Sequence, residues 1–341
     1  MDKFLKDKKA IIIFIAPAFL LFTFVLFIPI CQSIYYSFCD YNALTKPVFI
    51  GFENYKQLFT IDRTMKIALK NSLFFLIFSV VTQLIAGLIL AALLTNIKRG
   101  RDFFKNVYYL PCVLSSAALG LLWMFIFTPK LGINQVLAQF GIQGPLWLMD
   151  TKGFIILPMW VIASVALWQY VGQSMMLYMA QIAGINTSLY EASYIDGCTR
   201  AQAFRYITLP LIRPMVATAM SLNAIGSLKF FDLIFNMTEG GPNHMTDVLA
   251  THLYTQGFKY FKYGYASAIG TVLLVLCLLV TFIINKFVKV DNYEMSGGVE
   301  DEKVRKKANQ TYKQDYIRVS VVFGGHLSAA AFVGNLCFPK G

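Results

Sequence analysis

The sequence has few charged residues, and acidic residues are fewer than basic ones. Only 14% of its 341 residues are charged, with 18 Asp and Glu against 30 Lys and Arg, whereas 57% are hydrophobic. A soluble fold of this length cannot bury that much apolar surface, so the composition indicates a membrane protein. The basic residues flank long apolar runs and do not form one patch, which argues against nucleic-acid binding.

Several motifs that carry chemistry are missing. The sequence contains no GxxxxGK[ST] phosphate loop, so the chain is not expected to hydrolyse ATP itself. It also lacks HExxH and Gly-x-Ser-x-Gly, which argues against a membrane enzyme. The six cysteines show no CxxC or zinc-ligand spacing, and we interpret them as small apolar packing residues. We predict no cofactor and no metal site, and we interpret His244 and His252 as solvated loop residues.

Long uncharged runs dominate the sequence instead. A helix needs about 20 residues to cross about 30 Å of hydrocarbon. We predict an all-α, polytopic membrane protein with six transmembrane helices at residues 10–30, 71–97, 106–129, 153–180, 214–238 and 263–285. The fifth run contains Lys229 and Asp232, whose spacing puts both charges on one helix face, where they can pair or line a polar path.

The two ends of the chain carry further predictions. The first run also fits a signal peptide with Cys31 as a lipid-modified cysteine, but its 21 uncharged residues and the bulky Ile30 favour an uncleaved first span. We therefore predict a cytoplasmic amino terminus at residues 1–9 and a membrane domain at 10–290. The tail at 291–341 is predicted to be partly disordered, since most of it is charged or lacks a clean period.

The distribution of Lys and Arg predicts the orientation. With the amino terminus inside, the inner segments carry nineteen of these residues and the outer segments carry nine. Because positive residues are retained in the cytoplasm, both termini and the segment at about 183–212 are predicted to be cytoplasmic.

That cytoplasmic segment carries the most specific pattern in the sequence. Ser188 and Glu191 have the spacing of a capping box, as do Thr199 and Gln202. Gly197 stands where a helix readily ends in a left-handed conformation. We predict two short helices joined by a glycine corner, the second ending before Pro210. The full pattern is Glu191, Ala192, Ser193, Asp196, Gly197, Phe204, Ile207, Leu209, Pro210 and Pro214.

This pattern resembles the EAA loop of inner-membrane permease subunits of binding-protein-dependent ABC importers. The likeness is to the carbohydrate-uptake family of maltose and glycerol-phosphate permeases. Ser193 and Cys198 stand where that family more often has alanine. A second block, which begins at residues 238–242 with Thr-Glu-Gly-Gly-Pro, resembles the outer loop of the maltose-type partner. The resemblance covers about residues 9–290.

The resemblance implies a function and a set of partners. The chain would be a multi-pass permease in the cell membrane that imports a sugar or sugar derivative. It would pair with a second permease as a heterodimer, above two cytoplasmic ATPase subunits and below an extracytoplasmic solute-binding protein. Glu191 would be the acidic contact to the ATPase and Gly197 the corner. The other residues implied in coupling are Ala192, Ser193, Asp196, Phe204, Leu209 and Pro210.

Polar and aromatic residues within the predicted spans are candidates for the solute path. Polar side chains are costly in lipid and therefore face a cavity or another helix. The candidates are Gln83, Gln169, Gln173, Asn223, Lys229, Phe231 and Asp232. Hydrogen bonding between helices remains an equally open interpretation of each. An ion-coupled secondary transporter of a small polar solute is the alternative function, with Lys229 and Asp232 as its ionisable groups.

Overall fold

The computed structural model describes residues 8–97 and 99–287, which form an almost entirely helical chain. Residues 1–7 and the predicted tail at 291–341 lie outside this part. The helices are α1 (Lys8–Phe22), α2 (Ile28–Tyr36), α3 (Glu53–Lys56), α4 (Arg63–Asn96), α5 (Arg101–Val113), α6 (Ser116–Phe127), α7 (Ile133–Gln139), α8 (Leu157–Ala183), α9 (Thr187–Ile195), α10 (Arg200–Ala203), α11 (Leu209–Leu211), α12 (Arg213–Leu228), α13 (Asp232–Thr238), α14 (Leu249–Tyr254) and α15 (Tyr263–Phe287).

Two other kinds of element connect these helices. Wider π-helical turns lie at Thr23–Phe27, Gln57–Ile61, Phe204–Thr208 and Thr255–Lys259. A two-residue strand β1 (Cys39–Asp40) pairs antiparallel with β2 (Val48–Phe49), with Cys39 opposite Phe49. The first π-turn joins α1 and α2 into one continuous rod.

Three helices in the described part are long and apolar enough to cross a bilayer. They are Ile13–Tyr36, Arg63–Asn96 and Tyr263–Lys286. A fourth candidate is the pair α5 and α6, which is bent by 93°. These account for four of the six predicted spans, so the total of six stays a prediction.

The run at 106–129 predicted one straight helix for the third span, and this prediction is wrong. Pro111 removes an N–H from the last turn of α5, and Leu114 then adopts an extended backbone with ψ of 149°. Helix α6 starts afresh at Ser116. We call the junction at residues 114–115 the α5–α6 bend.

The fifth predicted span is also interrupted, which corrects the single helix predicted at 214–238. Helix α12 ends at Leu228, and α13 begins at Asp232 after a non-helical Phe231 with φ of −127°. Lys229 and Asp232 are both exposed at this break. No ion pair joins them among those found in the described residues. The two charges thus coincide with helix ends and do not form a polar stripe on one helix.

Helix α4 lies at the centre of the bundle and packs against α5, α8, α12 and α14. Gly87 on α4 leaves no room for a side chain, because a Cβ there would lie 2.7 Å from the Ser174 Cβ on α8. Gly120 on α6 meets Asn236 on α13 in the same way. Small residues thus permit close helix approach at both positions.

The first rod is the least buried part of the bundle. None of its most apolar 18-residue window is buried within the chain. It touches the rest of the bundle through α2, which contacts α15 and β1. Most of its apolar surface is therefore free for lipid or another protein.

Candidate functional site

The coupling loop, defined here as residues 183–212, follows α8 directly. Helix α9 begins one residue after Asn186, whose side-chain oxygen accepts a hydrogen bond from the Ser188 amide at 3.0 Å. The predicted capping box at Ser188 and Glu191 is therefore wrong, because Ser188 is already inside the helix. Asparagine is as good an N-cap as serine, and it stands two residues earlier.

The end of α9 follows the prediction closely. Gly197 has a φ of +82°, the left-handed conformation that a side chain disfavours. The Cys198 amide donates to the Ser193 carbonyl at 2.9 Å, and the Gly197 amide donates to the Tyr194 carbonyl at 3.1 Å. This pair of bonds is a Schellman motif, which fixes the direction in which the chain leaves the helix.

The second half of the loop confirms one prediction and corrects another. Thr199 and Gln202 form the predicted capping box, with the Thr199 amide donating to the Gln202 Oε1 at 2.8 Å. The helix does not end before Pro210 but continues through α11. A π-turn makes this possible, because the Leu209 amide donates to Phe204, five residues back, as Pro210 enters the first turn of α11.

The coupling loop has an exposed tip and a buried base. Glu191, Ala192, Asp196 and Gly197 are exposed, and Ile195 is 86% exposed at the end of α9. The base is tied together by Tyr190 Oη and Thr208 Oγ1, which lie 2.8 Å apart. Ile185 and Ile212 of the base are buried and pack in one apolar cluster with residues of α4 and α8. The α4 and α8 residues are Ala91, Leu94, Met175, Tyr178, Met179 and Ile182.

The remaining predicted coupling residues divide between base and surface. Ser193 is buried, and its hydroxyl donates to the Tyr190 carbonyl at 2.8 Å. Phe204 is half-buried, whereas Leu209 and Pro210 are exposed. Tyr194 and Ile195 were not predicted, although their position between Ser193 and Asp196 already indicated that they belong to the exposed tip.

A cavity of about 240 Å³ lies at the middle of the bundle, between α4, α8 and α12. We call it the central cavity. It is lined by Phe75, Ser79, Gln83, Ala166, Tyr170, Gln173, Leu222, Asn223, Gly226, Ser227 and Phe230. All of these side chains are uncharged; they supply amides, hydroxyls and aromatic rings.

The aromatic rings form one wall of the central cavity. Phe75 and Phe230 stack with their ring centres 4.7 Å apart, and Tyr170 meets Phe230 edge-on at 6.1 Å. On the polar side, the Asn223 side-chain amide donates to Ser174 Oγ at 3.1 Å. The wall therefore offers both flat apolar faces and hydrogen-bonding groups.

The structure separates the predicted solute-path residues into two groups. Gln83, Gln173 and Asn223 line the central cavity. Gln169 faces α6, where its Nε2 donates to Ser116 Oγ at 3.0 Å. Phe231 stacks on Phe235, at the break that also holds Lys229 and Asp232; none of these three lines the cavity. Sequence reasoning missed Ser79 and Tyr170, although Tyr170 lies one helical turn before Gln173.

The end of the bundle farthest from the coupling loop is joined by a cluster around Asp62. His252 Nε2 lies 2.8 Å from Asp62 Oδ2, and the Tyr265 hydroxyl donates to the same oxygen at 2.6 Å. His252 is only 2% exposed, so its prediction as a solvated loop residue is wrong. His244 is half-exposed and bonds Asp247 Oδ2 at 2.7 Å. Within residues 8–97 and 99–287, no three His, Cys, Asp or Glu side chains form a metal-ligating group.

Hydrogen bonds on the Asp62 carboxylate control its ionisation. Burial alone would raise its pKa, but hydrogen bonds from Tyr265, the Met65 amide and His252 outweigh burial and hold the pKa below its ordinary value. Asp62 is therefore an ionised acceptor at neutral pH.

Comparison with known proteins agrees with this architecture. The chain is 35% identical over 288 residues to the probable ABC transporter permease protein YurN of Bacillus subtilis, covering 83% of this chain and 97% of that protein. It is 31% identical over 280 residues to the lactose transport system permease protein LacF of Rhizobium radiobacter, covering 80% of this chain and 91% of LacF.

A solved structure has the same fold. A chain of a bacterial ABC transporter involved in the import of the acidic polysaccharide alginate matches with a TM-score of 0.72 and 25% identity, covering 85% of this chain and 98% of that one. Residues 83–289 match a family whose description is binding-protein-dependent transport system inner membrane component. The resemblance found in the coupling loop is confirmed, and the chain belongs to this family of inner-membrane permeases.

Proposed function

We propose that the chain is one permease subunit of an importer that moves a sugar or sugar derivative across the cell membrane. It pairs with a second permease as a heterodimer, two separate ATPase subunits dock on the cytoplasmic side, and an external solute-binding protein delivers the solute. We infer six spans, formed by α1–α2, α4, α5–α6, α8, α12–α13 and α15. With the amino terminus in the cytoplasm, this number of spans leaves the coupling loop and the carboxyl terminus in the cytoplasm as well.

The lining of the central cavity is the observation that carries this proposal. Sugars present hydroxyl groups, which donate and accept hydrogen bonds, and ring faces that stack on aromatic side chains. Gln83, Gln173 and Asn223 supply the amides, and Phe75 and Phe230 supply the aromatic faces. Relatives named for lactose transport and for multiple-sugar binding support a sugar as the solute.

The coupling loop supports the place of the ATPases. Its tip exposes Glu191 and Asp196 together with the apolar Ile195, a combination suited to a cleft on another protein. Its base is packed against α4 and α8 through a buried apolar cluster. A force on the tip is therefore passed to the spanning helices and is not absorbed inside the loop.

These two sites fit an alternating-access mechanism. Closure of the ATPases pulls the coupling loop and turns α8 and α12 so that the central cavity faces outward, where it receives the solute. Opening returns the cavity to the inside. In this scheme the chain supplies the path and the lever, while the partner subunits supply the energy. No specific observation favours the ion-coupled alternative, because Lys229 and Asp232 lie exposed at a helix break.

The cavity proposal is tested by removing the amide of Gln83 while keeping its size. We expect Gln83→Met to lower uptake of the cognate sugar about tenfold at subsaturating concentration, since hydrogen bonds to the passing solute are lost. The measurement is uptake of radiolabelled sugars in proteoliposomes that contain the complete transporter and its binding protein.

The neighbouring change Thr82→Val is the matched control. Among the described residues, the hydrogen bond found for the Thr82 hydroxyl lies within its own helix, to the Phe78 carbonyl at 2.7 Å, and Thr82 does not line the cavity. We expect normal uptake from this variant. If Gln83→Met also transports normally while the assembled complex is intact, the central cavity is not the solute path.

A further inference from the structure

Two neighbouring side chains of α8 form hydrogen bonds with the residue that directly follows the α5–α6 bend. Ser116, the first residue of α6, accepts a hydrogen bond from Gln169 Nε2 at 3.0 Å, and its hydroxyl lies 3.0 Å from Tyr170 Oη. Because residues 114–115 are not helical, the backbone does not fix the angle between α5 and α6. In the described part of the chain, these two bonds are the side-chain hydrogen bonds found on Ser116.

Tyr170 also belongs to the central cavity. Its ring stands edge-on to Phe230, and the residue lines the cavity wall between Ala166 and Gln173. A solute in the cavity therefore meets the same side chain whose hydroxyl bonds the bend. The wall of the central cavity and the α5–α6 bend thus have one contacting residue in common, Tyr170.

Gln169 has an unused hydrogen-bonding atom at this point. The residue is fully buried, and its Oε1 has no hydrogen-bond partner in the described structure. A buried acceptor left unsatisfied is destabilising, so a second arrangement that pairs it is favoured. The Ser116 hydroxyl is a donor beside the same side-chain amide, because Gln169 already bonds it through Nε2.

The parts that would move are bounded by the two helix breaks. Helix α6 packs tightly on α13 at Gly120, where a Cβ would lie 2.7 Å from the Asn236 Cβ. The α5–α6 bend precedes this pair, and the break at residues 229–231 separates it from α12. On the other side, α5 is fixed to α8, because a Cβ on Gly172 would collide with the Tyr108 carbonyl.

We propose that Tyr170 and Gln169 are positioning residues that couple solute occupancy of the central cavity to the angle of the α5–α6 bend. In the empty state, Tyr170 bonds Ser116. When solute engages Tyr170, the Ser116 hydroxyl turns to the free Gln169 Oε1, and the α6–α13 pair swings about the two breaks. This inference rests on the proposed role of the cavity as the solute path.

The first test compares variants of the complete transporter in proteoliposomes. Tyr170→Phe keeps the ring but removes the hydroxyl, and we expect the maximal uptake rate to fall about threefold to tenfold, the rate equivalent of one neutral hydrogen bond. The apparent KM should change less than about twofold, because the ring that contacts solute remains. Ser116→Ala should cause the same loss, and Ser116→Thr, which keeps a hydroxyl, should restore the rate.

The double variant Tyr170→Phe with Ser116→Ala separates coupling from general damage. Both changes remove the same bond, so their effects should not add. Tyr178→Phe is the matched control on the same helix, because the Tyr178 hydroxyl is buried and has no hydrogen-bond partner in the described structure. Additive losses in the double variant, or an equal loss from Tyr178→Phe, would overturn the proposal.

The second test measures the bend directly. Spin labels at Phe104→Cys on α5 and Leu122→Cys on α6, both exposed positions, report the distance across the bend in a background without native cysteines. We expect solute-loaded binding protein to change this distance in the wild type but not in Tyr170→Phe. An unchanged distance in a wild type that transports normally refutes the coupling and leaves the proposed function standing. Transport unaffected by Gln83→Met refutes the solute path itself.

Discussion

Asp62 joins three parts of the chain that are far apart in sequence. Its carboxylate accepts hydrogen bonds from the Met65 amide at the start of α4, from His252 on α14 and from Tyr265 on α15. Asn71 adds two further bonds from α4 to the backbone carbonyls of Met245 and Asp247. One charged residue thus holds the loop at 239–262 against the end of α4.

We expect Asp62→Asn to destabilise the protein by roughly 1.5–3 kcal/mol at neutral pH, the cost of losing hydrogen bonds to a charged acceptor. The lowered pKa of Asp62 gives this stabilisation a pH dependence. Asp62 contributes its full stabilisation above the ordinary carboxyl pKa of about 4. This stabilisation is lost as the pH falls through the lower pKa that Asp62 has in the folded protein.

Thermal unfolding of the detergent-solubilised protein, compared at about pH 7 and about pH 3, measures this effect. The wild type should lose stability on acidification, and the difference between wild type and Asp62→Asn should shrink at the lower pH. Glu53→Gln is the control, because Glu53 forms an exposed ion pair with Lys56. A difference that stays constant with pH would contradict the assignment.

At this scale, part of the local chemistry was predictable from the sequence, although the N-cap of α9 was not, and distant pairing was not predictable. The glycine corner at Gly197 and the capping box at Thr199 depend on residues a few positions apart, so their spacing is visible. The burial of His252 depends on Asp62, 190 residues away. No local pattern indicates that contact.

The interruptions of two predicted spans lie beside the central cavity. Phe230, at the break between α12 and α13, lines the cavity, and the α5–α6 bend bonds Tyr170 in its wall. Non-helical backbone within a membrane protein is tolerated where it is buried in protein or lines a cavity. Both breaks therefore adjoin the cavity on one side, whereas Leu114 and Ser115 in the α5–α6 bend are exposed on the other.

The coupling loop gives a prediction for one element. We expect Glu191→Lys to reduce uptake at least about tenfold and to weaken membrane association of the ATPase subunits, because a positive charge replaces an acidic contact at the docking tip. Uptake and co-purification of the ATPase measure the two effects. Asp102→Lys is the control, since Asp102 is an exposed acid on α5 whose ion pair is with Lys105. Full recruitment and uptake by Glu191→Lys would exclude the coupling role.

Hydropathy located the elements but not their interruptions. Runs of apolar residues predicted the positions of α4, α8 and α15 to within a few residues at most ends, although α4 starts at Arg63 and not at residue 71. The bends in the other spans depend on Pro111 and on the packing of α6 against α13. A run of apolar residues in the sequence does not reveal either of these two causes.

At the scale of the whole molecule, we propose that partner ATPases supply the energy for transport. No phosphate loop occurs in the sequence, and the uncharged lining of the central cavity offers no ionisable group for a coupling ion. The family, an inner membrane component of binding-protein-dependent transport, agrees with this division of labour. Fold class and family were predictable because they depend on long apolar runs and one loop; the solute path was only partly predictable, since it depends on which helix faces meet.

We therefore expect uptake by the reconstituted complex to require ATP and the binding protein, and to be unaffected by an imposed proton or sodium gradient. Proteoliposomes loaded with ATP, with a nonhydrolysable analogue or with neither, each with and without an ion gradient, provide the measurement. Accumulation driven by a gradient alone would remove the basis for an ATP-coupled permease.

The exposed Ile195 has a consequence for a cell that makes too much of this subunit. Its side chain is almost fully accessible when the chain stands alone. In the proposed complex an ATPase covers the tip; before assembly, that apolar surface is available to chaperones and proteases, which bind exposed apolar segments. We therefore expect a subunit that is synthesised in excess of its partners to be degraded.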